Sequence, residues 1–128
     1  CILGVCLGHQ AIGEAFGGTL DNLSRVYHGV STLMKQLGND ANFFQDVPMV
    51  FEAGRYHSWV VNKNTLPHEL IVTAVDHQNE VMAMRHRDYA VFGVQFHPES
   101  VMTPDGKKML RNFLDYCAEK LGTKAAVA

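Results

Sequence analysis

The sequence predicts an α/β fold in which an open, mostly parallel sheet is flanked by helices. An apolar run, residues 2–5, stops at Cys6, and the residues after it can continue as a helix. A second run, residues 89–96, is apolar along most of its length, as expected of a strand buried on both faces. Two more strand-like segments, residues 69–75 and 80–86, are joined by a short polar stretch, which predicts an antiparallel hairpin extension of the sheet.

The composition is that of one globular domain, or part of one. The chain has 128 residues, of which 47% are hydrophobic and 19% charged, and its net charge is -2. We expect neither a membrane nor a nucleic-acid partner, because the sequence has no long uncharged apolar span and no Lys/Arg cluster. The three cysteines Cys1, Cys6 and Cys117 are an odd, widely spread set, which favours reduced thiols in the cytoplasm over a disulfide framework.

The chain opens inside a strand that should lie in the interior of a sheet. A buried parallel strand normally has neighbours on both sides, and here no sequence precedes it. We therefore expect residues 1–128 to be the C-terminal portion of a domain whose N-terminal strands are missing. This portion would either be a fragment or receive those strands from elsewhere.

Cys6 has the sequence context of a nucleophile. It lies between Gly4 and Gly8, where the first strand turns sharply into a helix, in the manner of the G-x-S-x-G elbow. We expect both glycines to avoid a Cβ clash in this turn, and the helix N-terminus to favour a thiolate. The alternative is that Cys6 is a small buried hydrophobic residue, as most free cysteines are.

A histidine and a carboxylate follow the apolar run 89–96. In extended backbone, residues i and i+2 project to the same side, so Glu99 can reach one ring nitrogen of His97. Cys6, His97 and Glu99 would then form a nucleophile, a general base and an orienting carboxylate. Both Cys6 and His97 follow strands, and active sites of open α/β sheets gather at the carboxyl ends of strands.

For the other histidines, packing or a surface position is favoured over a chemical role. His9 is expected mainly to pack, and His57 either to bind substrate or to pack. The remaining ones are expected in loops or on the surface: His28, His68, His77 and His86. No pair of histidines has the i, i+4 spacing of a helical metal site, so we expect no metal, and nothing in the sequence calls for a cofactor.

The last element is predicted to be a helix that begins near Thr103 and ends at Gly122. Thr103 is the expected N-cap, and Pro104 would take the first helical position. Apolar residues recur at helical spacing and are expected to form its buried face: Met109, Leu110, Phe113, Leu114 and Cys117. Residues 123–128 are expected to form a loose tail.

Two long motifs carry a resemblance to a known family. They are residues 4–10 (Gly-Val-Cys-Leu-Gly-His-Gln) and residues 93–100 (Gly-Val-Gln-Phe-His-Pro-Glu-Ser), with Arg-Tyr-His-Ser at 55–58 between them. With these motifs the chain closely resembles class I (triad) glutamine amidotransferases, which have a flavodoxin-like fold. Within that family it is most similar to the amidotransferase subunits (component II) of anthranilate synthase and aminodeoxychorismate synthase.

The resemblance implies a reaction and the residues that perform it. Cys6 would attack the side-chain amide of L-glutamine to form a glutamyl thioester, His97 would move the proton, and Glu99 would orient His97. The backbone N–H of Leu7 would be one oxyanion donor. Contacts to the bound glutamine would come from three further residues: Gln10, Ser58 and Trp59.

The resemblance also implies a partner. Ammonia would pass to a synthase subunit (component I) that binds and aminates chorismate, and residues 81–86 favour the anthranilate branch, in tryptophan biosynthesis, over aminodeoxychorismate. Family members carry a further segment before the elbow, with a glycine-rich loop that supplies the second oxyanion donor. Loss of one such donor typically costs about 10²–10³ in rate. We therefore expect this chain alone not to turn over glutamine. Two alternatives are an inactive partner-binding module and a γ-glutamyl peptidase.

Overall fold

The computed structural model describes residues 1–122, which form a mixed sheet flanked by two helices. The elements in chain order are β1 (Ile2–Val5), α1 (Leu7–Ala15), β2 (Leu20–Asn22), β3 (Val30–Gln36), β4 (Val50–Arg55), β5 (Trp59–Val61), β6 (Leu70–Val75), β7 (Val81–His86), β8 (Val91–Val94) and α2 (Gly106–Leu121). Six strands form the main sheet in the order β1-β8-β7-β6-β3-β4. Strands β2 and β5 form a separate antiparallel pair.

The α/β class and the antiparallel hairpin β6–β7 agree with the sequence analysis, but parallel pairing is less extensive than expected. Within residues 1–122 it is confined to β1 and β8, which run side by side from Ile2 opposite Val91 to Val5 opposite Val94. The other strand pairs of the main sheet are antiparallel. The hairpin connection explains part of this difference, since a parallel pair needs a crossover of about a dozen or more residues.

The two helices pack on opposite faces of the sheet. Alternate residues of a strand point to opposite faces, and β8 shows this alternation. The ring of Phe92 lies edge-on to Phe113 and Tyr116 of α2, at centroid distances of 5.7 and 5.3 Å. Gly93, the next residue, faces α1, where an added Cβ would lie 2.7 Å from Nδ1 of His9. Strand β8 is thus buried on both faces, as its apolar sequence predicted.

The start of α2 differs from the prediction. The helix begins at Gly106 with Asp105 at the N-cap, so Thr103 is not the cap. The Thr103 hydroxyl instead donates to the carbonyl of His97 at 2.6 Å and accepts the N–H of Gly54 at 3.0 Å. These tertiary bonds use the side chain that helix capping would need, and they hold the segment that follows β8.

The end of α2 agrees with the prediction. Gly122 adopts a left-handed conformation, with φ of 68°, and its N–H bonds back to the last turn. Met109 and Cys117 lie on the buried face, but Leu114, expected there too, is 50% exposed. The expected loose tail, residues 123–128, lies outside the described residues. No helix within residues 1–122 has both the length and the apolar character needed to cross a membrane.

Candidate active site

Cys6 stands at a strained turn between β1 and α1, as the sequence predicted. Its backbone has φ 53° and ψ -100°, a region that residues with a side chain rarely occupy. The turn is held from both sides, because the N–H of Cys6 donates to the carbonyl of Val94 at 2.8 Å and the Cys6 carbonyl accepts the N–H of Gln10 at 3.1 Å. Such strain at one residue of a well-held turn is typical of functional sites.

The two glycines of this turn are not equivalent. A Cβ on Gly4 would lie 2.6 Å from the carbonyl group of Gly8 and from the side chain of Ile12. A Cβ on Gly8 would meet nothing within 4 Å. The expectation that both glycines avoid a clash is therefore wrong for Gly8, which lies in the first turn of α1 with its Cα facing open space.

His97 and Glu99 meet as the i, i+2 spacing predicted. Nδ1 of His97 lies 2.9 Å from Oε2 of Glu99, and the His97 N–H donates to the carbonyl of Gly54 at 3.0 Å. Because Val5 and Val94 pair at the carboxyl ends of two parallel strands, Cys6 and His97 emerge at the same edge of the sheet. The bond to Glu99 leaves Nε2 of His97 available for a reacting group.

A cavity of about 680 Å³ joins these residues at the sheet edge. It is lined by Val5, Cys6, Leu7, Tyr56, His97, Glu99 and Ser100. Four residues predicted from the sequence therefore face one space: the nucleophile, the base, the carboxylate and the proposed oxyanion donor Leu7. The other three predicted site residues, Gln10, Ser58 and Trp59, do not line it.

Polar groups of Tyr56 and Gln95 contact the Cys6 sulfur. The Tyr56 carbonyl lies 3.9 Å from Sγ, and the side-chain amide of Gln95 donates to Sγ at 3.6 Å. Burial raises the pKa of the Cys6 thiol, and the Glu99 carboxylate adds to the rise. The N–H of Leu7 and the amide of Gln95 act in the opposite direction. The helix N-terminus thus favours the thiolate as expected, but burial outweighs it.

Gln10, Ser58 and Trp59 form a group next to the cavity. The Gln10 side chain is buried and donates through Nε2 to the carbonyl of Trp59 at 3.0 Å. The Ser58 carbonyl accepts the N–H of Leu23 at 2.6 Å, and the Trp59 side chain is 45% exposed. The geometry links Gln10 to the Ser58–Trp59 backbone, so these residues lie together although the sequence places them far apart.

Three further residues belong to this site without a role predicted from the sequence: Tyr56 and Gln95, which contact the sulfur, and Ser100, which lines the cavity. The Tyr56 ring stands edge-on to His97, with 5.1 Å between ring centroids. All three lie within the motifs at residues 55–58 and 93–100. Their positions within these motifs could have pointed to them. No rule of sequence spacing, however, assigns a role to an amide or phenol side chain.

The remaining histidines divide by burial. His9 and His57 are buried, and burial lowers their pKa values to about 3 and about 4, with the Arg55 charge adding to the effect at His57. His86 was expected in a loop or on the surface and instead lies buried in β7, where its Nδ1 accepts the N–H groups of Asp88 and Tyr89, both at 3.0 Å. The other three are exposed as expected: His28, His68 and His77. Residues 1–122 contain no group of three or more His, Cys, Asp or Glu side chains placed to hold a metal.

Comparisons with known proteins agree with this geometry. Residues 1–117 match the family model described as Glutamine amidotransferase class-I. The chain is 50% identical over 113 residues to a candidate anthranilate synthase component II of Haemophilus influenzae, covering 88% of this chain and 58% of that protein. It is 46% identical over 114 residues to the aminodeoxychorismate/anthranilate synthase component 2 of Bacillus subtilis, covering 89% and 58%.

A solved structure shows the same fold. A candidate GMP synthase subunit from Thermoplasma acidophilum superposes with a TM-score of 0.86 at 26% identity, over 94% of this chain and 59% of that one. This chain spans about 58% of the length of the curated relatives described above. The elbow cysteine, the histidine–glutamate pair and these similarities lead to one conclusion: the chain belongs to the class I glutamine amidotransferase family.

Proposed function

We propose that this chain carries the glutaminase site of an amidotransferase, which releases ammonia from the side chain of glutamine. One observation carries the proposal. The strained Cys6 and the Glu99-bound His97 leave adjacent parallel strands and face the same cavity. A thiol, a histidine and an orienting carboxylate around one space are the groups that nucleophilic amide hydrolysis needs.

The reaction takes two steps at Cys6. His97 removes the thiol proton as Sγ attacks the amide carbon, and it returns that proton to the leaving nitrogen, so that ammonia departs and a thioester remains. Water then attacks the thioester, with His97 taking its proton, and breaks the carbon–sulfur bond to release glutamate and the thiol. We assign the oxyanion of both steps to the N–H of Leu7, which lies at the start of α1.

The proposed glutamine contacts are Gln10, Ser58 and Trp59. The bond from Gln10 to the Trp59 carbonyl supports this assignment, because it fixes the backbone of Ser58 and Trp59 relative to α1. Both hydrogens of the Gln10 amide are used inside the protein, one on Trp59 and one on Gln95. We therefore assign Gln10 an effect on the substrate mainly through the Trp59 segment.

The proposed partner is a cytoplasmic synthase subunit that binds chorismate and receives the ammonia. Relatives named as anthranilate synthase component II support the anthranilate branch and tryptophan biosynthesis. The Bacillus subtilis relative, whose name covers both products, keeps aminodeoxychorismate as the alternative. In this proposal residues 1–128 are the C-terminal portion of the amidotransferase domain, and the whole domain performs the reaction.

The proposal is tested by adding the whole amidotransferase domain, of which residues 1–128 are the proposed C-terminal portion, to the chorismate-binding synthase with chorismate and glutamine. We expect anthranilate to form, and to be lost in Cys6→Ser but restored in that variant by an ammonium salt. Aminodeoxychorismate as the product would select the other branch. Release of glutamate from γ-glutamyl peptides but not from free glutamine would contradict the proposal, and so would glutamine-dependent product formation by Cys6→Ser.

A further inference from the structure

A buried ion pair begins a chain of hydrogen bonds that ends at the Cys6 sulfur. Arg55 and Asp76 have fully buried side chains, and Nη1 of Arg55 lies 3.0 Å from Oδ2 of Asp76. The guanidinium also lies over the ring of Tyr27, 3.5 Å from its centroid. Nε of Arg55 then donates to Nε2 of His57 at 3.0 Å. The ion pair therefore holds a donor against one nitrogen of His57.

The arginine fixes the tautomer of His57. A guanidinium has only donors, so Nε2 of His57 must accept and the ring hydrogen must be on Nδ1. Nδ1 lies 3.0 Å from the carbonyl of Trp59, to which it donates. The lowered pKa of His57, about 4, keeps this ring neutral at ordinary pH. The Trp59 carbonyl thus accepts from His57 and also from Gln10.

The Trp59 carbonyl in turn fixes two side-chain amides. Only the nitrogen of Gln10 can face a carbonyl oxygen, and that same nitrogen donates to Oε1 of Gln95 at 3.2 Å. The oxygen of Gln95 therefore faces Gln10, and its nitrogen faces Sγ of Cys6 at 3.6 Å. Reversing either amide would place two acceptors or two donors against each other in a buried site.

We propose that Gln95 is a further catalytic residue, which stabilises the Cys6 thiolate through an N–H···S hydrogen bond, and that Gln10 is a positioning residue which turns the Gln95 amide toward the sulfur. The proposal rests on the proposed function in that Cys6 is the nucleophile. Gln95 is fully buried and immobilised, so its donor is in place before the charge on sulfur develops. Burial of Cys6 opposes the thiolate, which gives such a donor a reason to be there.

The test is the rate at which iodoacetamide alkylates Cys6, followed by peptide mass spectrometry across a pH series. Alkylation requires the thiolate, so its rate reports thiolate formation without any glutamine. The exposed Cys1 in the same sample serves as an internal reference. The titratable groups that line the cavity with Cys6 are Tyr56, His97 and Glu99, and all three stay unchanged in every variant used.

Three variants separate the roles: Gln95→Met, Gln10→Met and Gln36→Met. Gln36 is the matched control, since it is also a buried glutamine but donates to the carbonyls of Val47 and Pro48. We expect Gln95→Met to slow Cys6 alkylation at neutral pH about tenfold, the size of a lost hydrogen bond to a charged group. Gln10→Met should give a smaller loss in the same direction, and Gln36→Met none.

Equal Cys6 rates in the wild-type protein and a folded Gln95→Met variant would overturn the proposal. So would an equal loss in Gln36→Met. If the variants do not fold, the side-chain amide resonance of Gln95 in the wild-type protein provides the test. We expect it to shift when Cys6 is titrated, and its failure to respond would refute the contact. Failure of the whole domain to use glutamine, with Gln95-dependent alkylation intact, would count against the proposed function alone.

Discussion

Gly4 and Gly8 pack against each other across the turn that carries Cys6, and the contact makes only Gly4 necessary. A Cβ on Gly4 would lie 2.6 Å from the backbone of Gly8, whereas a Cβ on Gly8 would meet no atom within 4 Å. We expect Gly4→Ala to lower the free energy of unfolding by about 2 kcal/mol or more, because the turn must open. Gly8→Ala should raise it by roughly 0.5–1 kcal/mol, the helix propensity gain. Equal changes in the unfolding free energies of the two variants, measured by urea denaturation, would contradict the different roles of Gly4 and Gly8.

We expect removal of one partner of the buried Arg55–Asp76 ion pair to destabilise the folded protein strongly. Asp76→Asn keeps an acceptor for the N–H groups of Gln78 and Glu80 but removes the charge beside Arg55. We expect a loss of about 3–5 kcal/mol in the free energy of unfolding, because the guanidinium is left buried and unpaired. The measurement is chemical denaturation followed by circular dichroism.

A partly exposed ion pair supplies the control for that variant. Asp105 lies 3.4 Å from Lys108, whose side chain is half exposed. We expect Asp105→Asn to change stability by less than about 1 kcal/mol, as is usual for surface pairs. A similar loss of unfolding free energy in Asp76→Asn and Asp105→Asn would mean that burial does not set the contribution of the Arg55–Asp76 pair.

His9 should make the protein sensitive to acid. Its pKa is about 3 in the folded protein, against 6.5 for an exposed histidine, because burial disfavours the charged ring. The unfolded state therefore binds more protons between these values, so the stability from neutral His9 is complete above about pH 6.5 and is lost as the pH falls toward 3. The slope is at most about 1.4 kcal/mol per pH unit for one histidine.

His9→Gln should flatten the pH dependence of unfolding between about pH 4.5 and 6.5, even if it lowers stability at neutral pH. The matched control is His77→Gln, because His77 is exposed. Denaturation curves at several pH values would give the slopes. A slope in His9→Gln identical to that of the wild-type protein would show that His9 is not buried in its neutral form.

His97 and Glu99 should contribute unequally to the rate at which Cys6 reacts with glutamine. Removing the proposed base, in His97→Asn, should slow the reaction of Cys6 by about 10²–10⁴. Glu99 is 58% exposed, and in Glu99→Gln the amide oxygen can still accept from Nδ1 of His97, so its effect should be smaller. Single-turnover rates of glutamine hydrolysis in the complex with the synthase subunit would measure the effect of each variant. A larger loss in Glu99→Gln than in His97→Asn would contradict the assigned roles.

The parts of the site that the sequence predicted are those fixed by local backbone. The elbow at Cys6 follows from the strand, the turn and the helix around it, and the contact between His97 and Glu99 follows from their i, i+2 spacing. The meeting of Cys6 with His97 needed only the rule that parallel strands end at one edge. These relationships depend on a few neighbouring residues each, so a single sequence carries them.

The parts that it did not predict depend on tertiary contacts between distant segments. Thr103 reads as a helix cap, but Gly54 and His97 compete for its hydroxyl. The bond from Gln95 to Cys6 joins residues that are far apart in the chain, and its direction is set by the Trp59 carbonyl through Gln10. The antiparallel pairing of β3 with β4 and β6 was missed for the same reason, because no local pattern specifies it.

The central claim is that Cys6 attacks glutamine in a pocket shared with His97. The most direct test treats the protein with a diazo-ketone analogue of glutamine and measures its intact mass, with Cys6→Ser as the control. We predict one adduct per chain, on Cys6, that free glutamine prevents and that the Cys6→Ser variant does not form. A folded protein that takes up no adduct, or an adduct that persists in Cys6→Ser, would contradict the claim.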